Sequence, residues 1–342
     1  MLKQSIACCF HPTVVVVIDD QRSYLDNLTL GFSERFAVKS FSNPFEALDY
    51  LEVAQDKTDT VLNGYVSSLK NRENIGDLDK TYLSHAYTDI DVFGIHKMIY
   101  DPNRFNRMVV VIVDYAMPGM DGFRICSALK DWPFKFLMLT GKVMNNEVIK
   151  AFNAGLIDRF MSKEQRDFFE QLESNIFDLQ YAYFQESTHT IIKNLSASPV
   201  SCLGDPAFIE FFNVFFKEKQ LFEYYIVNES GCFLFLDLYG KPSWLVIKTE
   251  HEMQALEQIA SDCDAPLEVI SPLRLREKVL FLFSEEDESI PVQDWEQYMY
   301  PAKKFKGDKA DYYYTYIPDA GPYHLDQDKI ASYHNFLMQF KG

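Results

Sequence analysis

Six consecutive β-branched or apolar residues, Thr13–Ile18, form the first clear pattern in the chain. A run apolar on both faces predicts a strand in the interior of a parallel sheet. It stops at Asp19-Asp20, and helical spacing follows from Arg22 to Phe36, then a short strand, Ala37–Phe41. Asn43-Pro44 supplies an N-cap and a first-turn proline for a helix over Phe45–Val53. Residues 54–107 break the rhythm; they are polar and mixed, with helix-like stretches at Val61–Leu69 and Ile95–Tyr100. The alternation then resumes. Met108–Val113 is a strand ending in Asp114, followed by the turn Met117-Pro118-Gly119 and a helix from Asp121 to Lys130. Phe134–Leu139 is a strand ending in Thr140, and Gly155 caps the next helix, Asn146–Asn153. Ile157–Met161 is the last strand, with Lys163 just beyond it.

Five strands alternating with helices predict a doubly wound α/β domain with a five-stranded parallel sheet over 1–165, the insertion at 54–107 included. A long linker helix follows over 166–195. Its residues Phe169, Leu172, Ile176, Leu179 and Tyr183 repeat in steps of three and four. That stripe suits either a final helix packed on its own sheet or a signalling helix pairing with a second chain. Residues 196–342 read as an α+β domain with an antiparallel sheet. They comprise a helix from Asp205-Pro206 through Phe216, strands at Glu223–Val227, Cys232–Leu238 and Ser243–Lys248, and a helix over Glu250–Ser261. A strand at Lys278–Phe283, an acidic loop at Ser284–Ser289, a strand at Tyr312–Ile317 and a closing helix over Asp326–Phe340 complete it.

Composition narrows the function classes. The 342 residues carry 50 Asp and Glu against 33 Lys and Arg, a net charge of −17. So acidic a surface repels nucleic-acid backbones and anionic membranes, which argues against DNA binding. No apolar run approaches the roughly 20 residues that span a bilayer, and the first ten residues do not form a signal peptide. Six scattered cysteines without a CxxC fit reduced thiols in a cytoplasm.

Asp19, Asp20, Asp114, Thr140 and Lys163 all sit at or just past strand carboxyl ends, where doubly wound sheets gather their reactive groups. Two adjacent carboxylates facing a third make an acidic pocket that is costly unless a cation neutralises it. Oxygen ligands in that number suit Mg²⁺. Asp114 can then attack a phosphoryl group as a carboxylate nucleophile, with Lys163 offsetting charge on the phosphoryl oxygens and Thr140 donating its hydroxyl to one of them. Each residue alone is equally a cap or a surface group; five in order at successive strand ends are not.

With those residues and the turn Asp114-Tyr115-Ala116-Met117-Pro118-Gly119-Met120-Asp121-Gly122, the segment Val14–Lys163 resembles the receiver domain of two-component response regulators. The resemblance implies a flavodoxin-like fold, Mg²⁺ held by Asp20, Asp114 and the Ala116 carbonyl with Asp19 through water, Asp114 as phosphoacceptor, Thr140 as switch hydroxyl, Lys163 as phosphate partner and Phe160 as switch aromatic. It also implies a sensor histidine kinase or phosphotransfer protein as donor. Glu164 stands where receivers often have proline, which leaves that loop's conformation open, and the insertion of about 50 residues is unusual. Arg104-Phe105 and Ala151–Phe160 resemble a narrower subgroup, regulators of quorum-sensing type.

Residues 196–342 hold 13 Lys and Arg against 24 Asp and Glu, and no helix there has a basic DNA-reading face. His251-Glu252 lacks the second histidine of HExxH, and Gly240-Lys241-Pro242-Ser243 lacks the upstream glycine of a P-loop. Lys303, Lys304, Lys306 and Lys309 form a basic hairpin that either guards a sheet edge or touches a nucleotide. The sequence therefore predicts a cytoplasmic, phosphorylation-switched regulator, expected to form a homodimer, whose output domain binds a protein or small ligand. An enzymatic or nucleotide-binding output is the alternative.

Overall fold

The computed structural model describes residues 6–32, 34–54, 67–68, 90–92, 94–141, 146–196, 202–228, 230–283, 290–323 and 325–341. They fall into two compact units. The first gathers the described residues of 11–61, 102–187 and 333–342; the second gathers those of 1–10, 62–101 and 188–332. The division is not the simple front and back halves expected from the pattern. Strand β1 (Cys9–Phe10) already belongs to the second unit, although only three residues separate it from the first strand of the other.

In the first unit, β2 (Val14–Ile18) is buried at every position, as its continuous apolar run demands. Helix α1 (Arg22–Phe32) leads to β3 (Val38–Phe41), a half-buried edge strand. Helix α2 (Pro44–Ala54) starts where the Asn43 side chain accepts the Phe45 N–H at 3.0 Å, the predicted cap. After the insertion, β6 (Met108–Asp114) and β7 (Lys135–Thr140) are again wholly buried, joined by α3 (Gly122–Ala128). The short pair β4 (Ser67–Ser68) and β5 (Ile90–Asp91) lies within the insertion. Helix α4 (Asn146–Asn153) stops at Gly155, whose φ of +70° favours glycine, and β8 (Arg159–Ser162) closes the sheet. The order β3-β2-β6-β7-β8 is parallel throughout, the doubly wound sheet read from the sequence.

Helix α5 (Phe168–Ser196) begins in the first unit and its last turns belong to the second. Its stripe is not an open seam. Leu172, Ile176, Leu179 and Tyr183 are all buried within the chain, and only Phe169 is exposed. Around them Gln180 donates to the Thr13 hydroxyl and carbonyl, and Lys135 pairs with Glu186 at 2.6 Å. Four of the five stripe positions are thus covered within the chain itself.

The second unit is built on a six-stranded antiparallel sheet. It contains β9 (Glu223–Ile226), β10 (Phe233–Leu236), β11 (Pro242–Thr249), β14 (Lys303–Lys306) and β15 (Asp311–Ile317), in the order β1-β9-β10-β11-β15-β14. Helix α6 (Pro206–Glu218) lays Phe212 against Phe233 at 4.6 Å and Phe215 against Tyr316 at 5.2 Å, so much of the chain's aromatic content forms this interface. Helix α7 (Glu250–Asp262) has a full capping box between Thr249 and Glu252, and α8 (Leu267–Arg274), not anticipated, packs beside it. β12 (Lys278–Leu280) and β13 (Met299–Pro301) form a separate pair. The lysines of β14 lie on the sheet's edge strand, the position expected of an edge guard.

Two further expectations change. Ile95–Tyr100 is a 3-10 helix, and it packs in the second unit, where the Ile99 carbonyl accepts the Ala331 N–H at 3.1 Å. The described residues of 62–101 within the insertion therefore group with the second unit, while 102–107 stay with the first. The closing helix is shorter than Asp326–Phe340: after a 3-10 turn at Gln327–Lys329, α9 (Tyr333–Phe340) starts afresh and joins the first unit. There the Ala37 N–H donates to the Tyr333 hydroxyl at 3.1 Å and Phe105 lies 5.2 Å from the Tyr333 ring. The helix-like stretch expected at Val61–Leu69, apart from Ser67-Ser68, and the acidic loop at Ser284–Ser289 lie outside the described residues.

Candidate functional site

In the sheet order β3-β2-β6, the chain turns one way from β2 and the other way from β6, so a crevice opens beyond the carboxyl ends of these two strands. Asp19 follows β2 and Asp114 ends β6, and both are buried. Lys163, just past β8, reaches into the crevice. Its ammonium lies 2.5 Å from Asp19 Oδ2 and 2.7 Å from Asp114 Oδ1. The remaining oxygens are also held, since Asp19 Oδ1 accepts the Gln21 N–H at 2.9 Å and Asp114 Oδ2 the Ala116 N–H at 3.0 Å.

Thr140, at the end of β7, is buried, and its carbonyl accepts the Lys163 N–H at 2.9 Å, which ties the backbones of the two residues together. The next residue, Glu164, donates its N–H to Ser162 Oγ at 3.2 Å, a bond proline could not make. Phe160 on β8 is half-buried with its ring edge-on to exposed Phe152 at 5.7 Å.

The electrostatics are those of two buried carboxylates sharing one ammonium. Burial raises the Asp114 carboxyl above its ordinary value, opposed by the hydrogen bond and charge of Lys163 and reinforced by Asp19. Burial alone would depress Lys163, but its hydrogen bonds to Asp114 and Asp19 outweigh this and raise it. The pocket keeps one negative charge in excess, which favours a further cation. The donors fit Mg²⁺ in kind: hard carboxylate oxygens from Asp19 and Asp114, with the Ala116 carbonyl two residues on. They are not gathered as a three-carboxylate cluster, however. Asp20 is exposed, and among the described residues no group of three or more His, Cys, Asp or Glu side chains could hold a metal.

Two contributors escaped the sequence. A Cβ on Gly122 would meet the Asp114 carbonyl oxygen at 2.5 Å, so α3 can begin against that backbone only with glycine there. Tyr24 on α1 presents its ring to the Lys163 ammonium, 4.4 Å from the centroid. The spacing of Gly122 from Asp114 was available as a signal; nothing in the sequence places Tyr24 beside Lys163.

Fold and crevice together define a receiver-type unit. The response regulator receiver domain family matches residues 75–173, a span that holds Asp114, Thr140 and Lys163 and starts after Asp19 and Asp20. The chain is similar to the Legionella pneumophila response regulator LqsR, with 32% identity, 98% of this chain and 96% of that chain covered, and a TM-score of 0.77. It belongs to the response regulator family. An adenylate cyclase from Rhodopirellula baltica (19% identity, 55% of this chain and 99% of that chain, TM-score 0.34) and the receiver domain of Francisella response regulator 1452 (13%, 49% and 96%, 0.31) also match, at scores that decide nothing further. No curated protein sequence matches.

Proposed function

We propose that this response regulator is switched by phosphorylation of Asp114. The observation that carries the reading is the Lys163 ammonium bridging Asp19 and Asp114 at the carboxyl ends of β2 and β6. A carboxylate oxygen of Asp114 attacks the phosphorus of a phosphohistidine, on a sensor kinase or phosphotransfer protein. The P–N bond breaks and its electron pair leaves with the imidazole. Lys163 moves from a carboxylate oxygen to the phosphoryl group and offsets its charge. The Thr140 hydroxyl donates to a phosphoryl oxygen, a bond available only in the phosphorylated state, so it biases a two-state equilibrium. Asp20, Asp114 and the Ala116 carbonyl would hold Mg²⁺, with Asp19 through water, and the ion would offset the remaining negative charge.

The receiver surface around Phe160, with exposed Ile149 and Phe152 on α4, is where the change is read out. Four of the five stripe positions on α5 are already buried, so a phosphorylation-dependent homodimer would use this surface instead. The output is binding of a protein or small ligand by the second unit, in a cytoplasmic pathway of quorum-sensing type. The pathway rests on the segments Arg104-Phe105 and Ala151–Phe160. No described helix is long and apolar enough to cross a membrane.

Incubation with Mg²⁺ and acetyl phosphate, followed by intact mass and light scattering, tests the reading. One added phosphoryl group is expected, absent in Asp114→Asn. Undiminished labelling of Asp114→Asn would end the assignment.

A further inference from the structure

The ammonium of Lys163 is held on three sides. Asp19 and Asp114 take two of them, and the face of the Tyr24 ring takes the third at 4.4 Å from its centroid. An aromatic face carries partial negative charge and attracts a cation within about 6 Å, the more strongly where water is excluded. The ring is itself fixed, with Phe168 at the start of α5 lying against it at 6.4 Å in an edge-on arrangement. Its hydroxyl oxygen is buried with no hydrogen-bond partner among the described residues. Burial, then Asp19, then Asp114 raise the Tyr24 phenol, so it stays protonated and the ring adds no full charge to the pocket.

We infer that Tyr24 is a positioning residue for phosphoryl transfer: its ring is the third wall of the Lys163 site and keeps the ammonium over the acceptor while the carboxylate charge of Asp114 is spent. The inference rests on the reading of Asp114 as phosphoacceptor. When the phosphoryl group arrives, Asp114 ceases to offer a full carboxylate. Lys163 then depends on Asp19 and the ring to stay within reach of the phosphoryl oxygens rather than swing out to water. A leucine at position 24 would fill much of the space without attracting the cation.

The test compares Tyr24→Leu with Tyr24→Phe, each made in the natural chain and in Lys163→Ala, with initial phosphoryl uptake from acetyl phosphate followed by intact mass. Tyr24→Leu is expected to slow uptake about fivefold. Tyr24→Phe, which keeps the ring, should restore most of the rate, and in Lys163→Ala neither change should matter further. Equal slowing by both substitutions, or the same slowing by Tyr24→Leu with Lys163 absent, would overturn the inference. A second readout does not need phosphorylation. The Lys163 ε-methylene protons should be shielded by the ring in NMR spectra of the natural chain and of Tyr24→Phe, and lose that shielding in Tyr24→Leu. If the natural chain takes up no phosphoryl group, the reading of Asp114 fails, and the ring-current shift alone then decides whether Tyr24 holds the lysine; its absence would overturn the inference too.

Discussion

Asp114 in the first unit and Asp205 in the second are both buried aspartates next to a helix start, and they are opposites. Asp205 caps α6 and accepts from four neutral donors: the N–H groups of Lys309 at 2.8 Å, Asp308 at 3.1 Å and Ala207 at 2.9 Å, and the Tyr312 hydroxyl at 2.9 Å. Burial works against its ionised form, but these donors outweigh it and hold the carboxyl below its usual range. Asp114 has one backbone donor, one ammonium shared with a second carboxylate, and a carboxyl raised by burial. Fixed dipoles quiet a carboxylate; a contested cation leaves it available to react.

The same substitution at both sites should pull the two roles apart most widely. Asp114→Asn is expected to abolish phosphoryl uptake while leaving stability in urea unchanged or raised by about 1 kcal/mol, since it removes the pocket's surplus charge. Asp205→Asn should cost about 2–4 kcal/mol, because an amide offers one acceptor to four donors and sets its own N–H groups against them. An Asp205→Asn variant as stable as the natural chain would erase the contrast. Gly122→Ala probes the reactive site through its backbone alone. With a Cβ 2.5 Å from the Asp114 carbonyl, it should cost about 1–3 kcal/mol and slow uptake several-fold, read from the same two assays.

The pH dependence of the pair should run in opposite senses. The depressed carboxyl of Asp205 contributes stability that is complete above its ordinary unfolded value and is lost as pH falls through the lower folded value. The raised carboxyl of Asp114 does the reverse: it costs stability as pH rises from its ordinary value through the folded one, and phosphoryl uptake declines on acidification while still above the ordinary aspartate range. Urea midpoints of the natural chain and each Asp→Asn variant across mildly acidic pH would measure both slopes. The smallest effect belongs to Glu164→Pro, which removes the N–H bond to Ser162 Oγ and should cost up to about 1 kcal/mol in the same urea assay. A gain in stability would show that the proline common in receivers suits this loop better.

Much of the first unit was legible because its strands are apolar on both faces and its candidate site residues fall at strand ends, where the sheet itself juxtaposes them. The positions of Asp19, Asp114, Thr140 and Lys163 at or just past strand carboxyl ends followed from that logic. Asp20, which the resemblance puts at the metal, is exposed just beyond the end of β2, beside buried Asp19. Tyr24 was invisible because its role depends on the packing of α1 against a lysine far along the chain. The stripe on α5 shows a different limit. Steps of three and four describe any helix with one buried face, and the pattern cannot say whether the cover is another chain or the sheet next door. Likewise Ile6–Phe10 and Thr13–Ile18 read as nearly one apolar stretch, yet they serve different sheets, with His11-Pro12 as the break.

Helix α9 completes the first unit with residues that come after the whole of the second, and its Tyr333 hydroxyl takes the N–H of Ala37. A ribosome making this protein therefore finishes the sheet and the reactive crevice of the first unit well before it has made the helix that completes that unit. The first unit can reach its final form only after residues 333–340 emerge. An output domain cannot be exchanged by joining a new gene segment after residue 187 without also losing α9 from the unit that carries the switch.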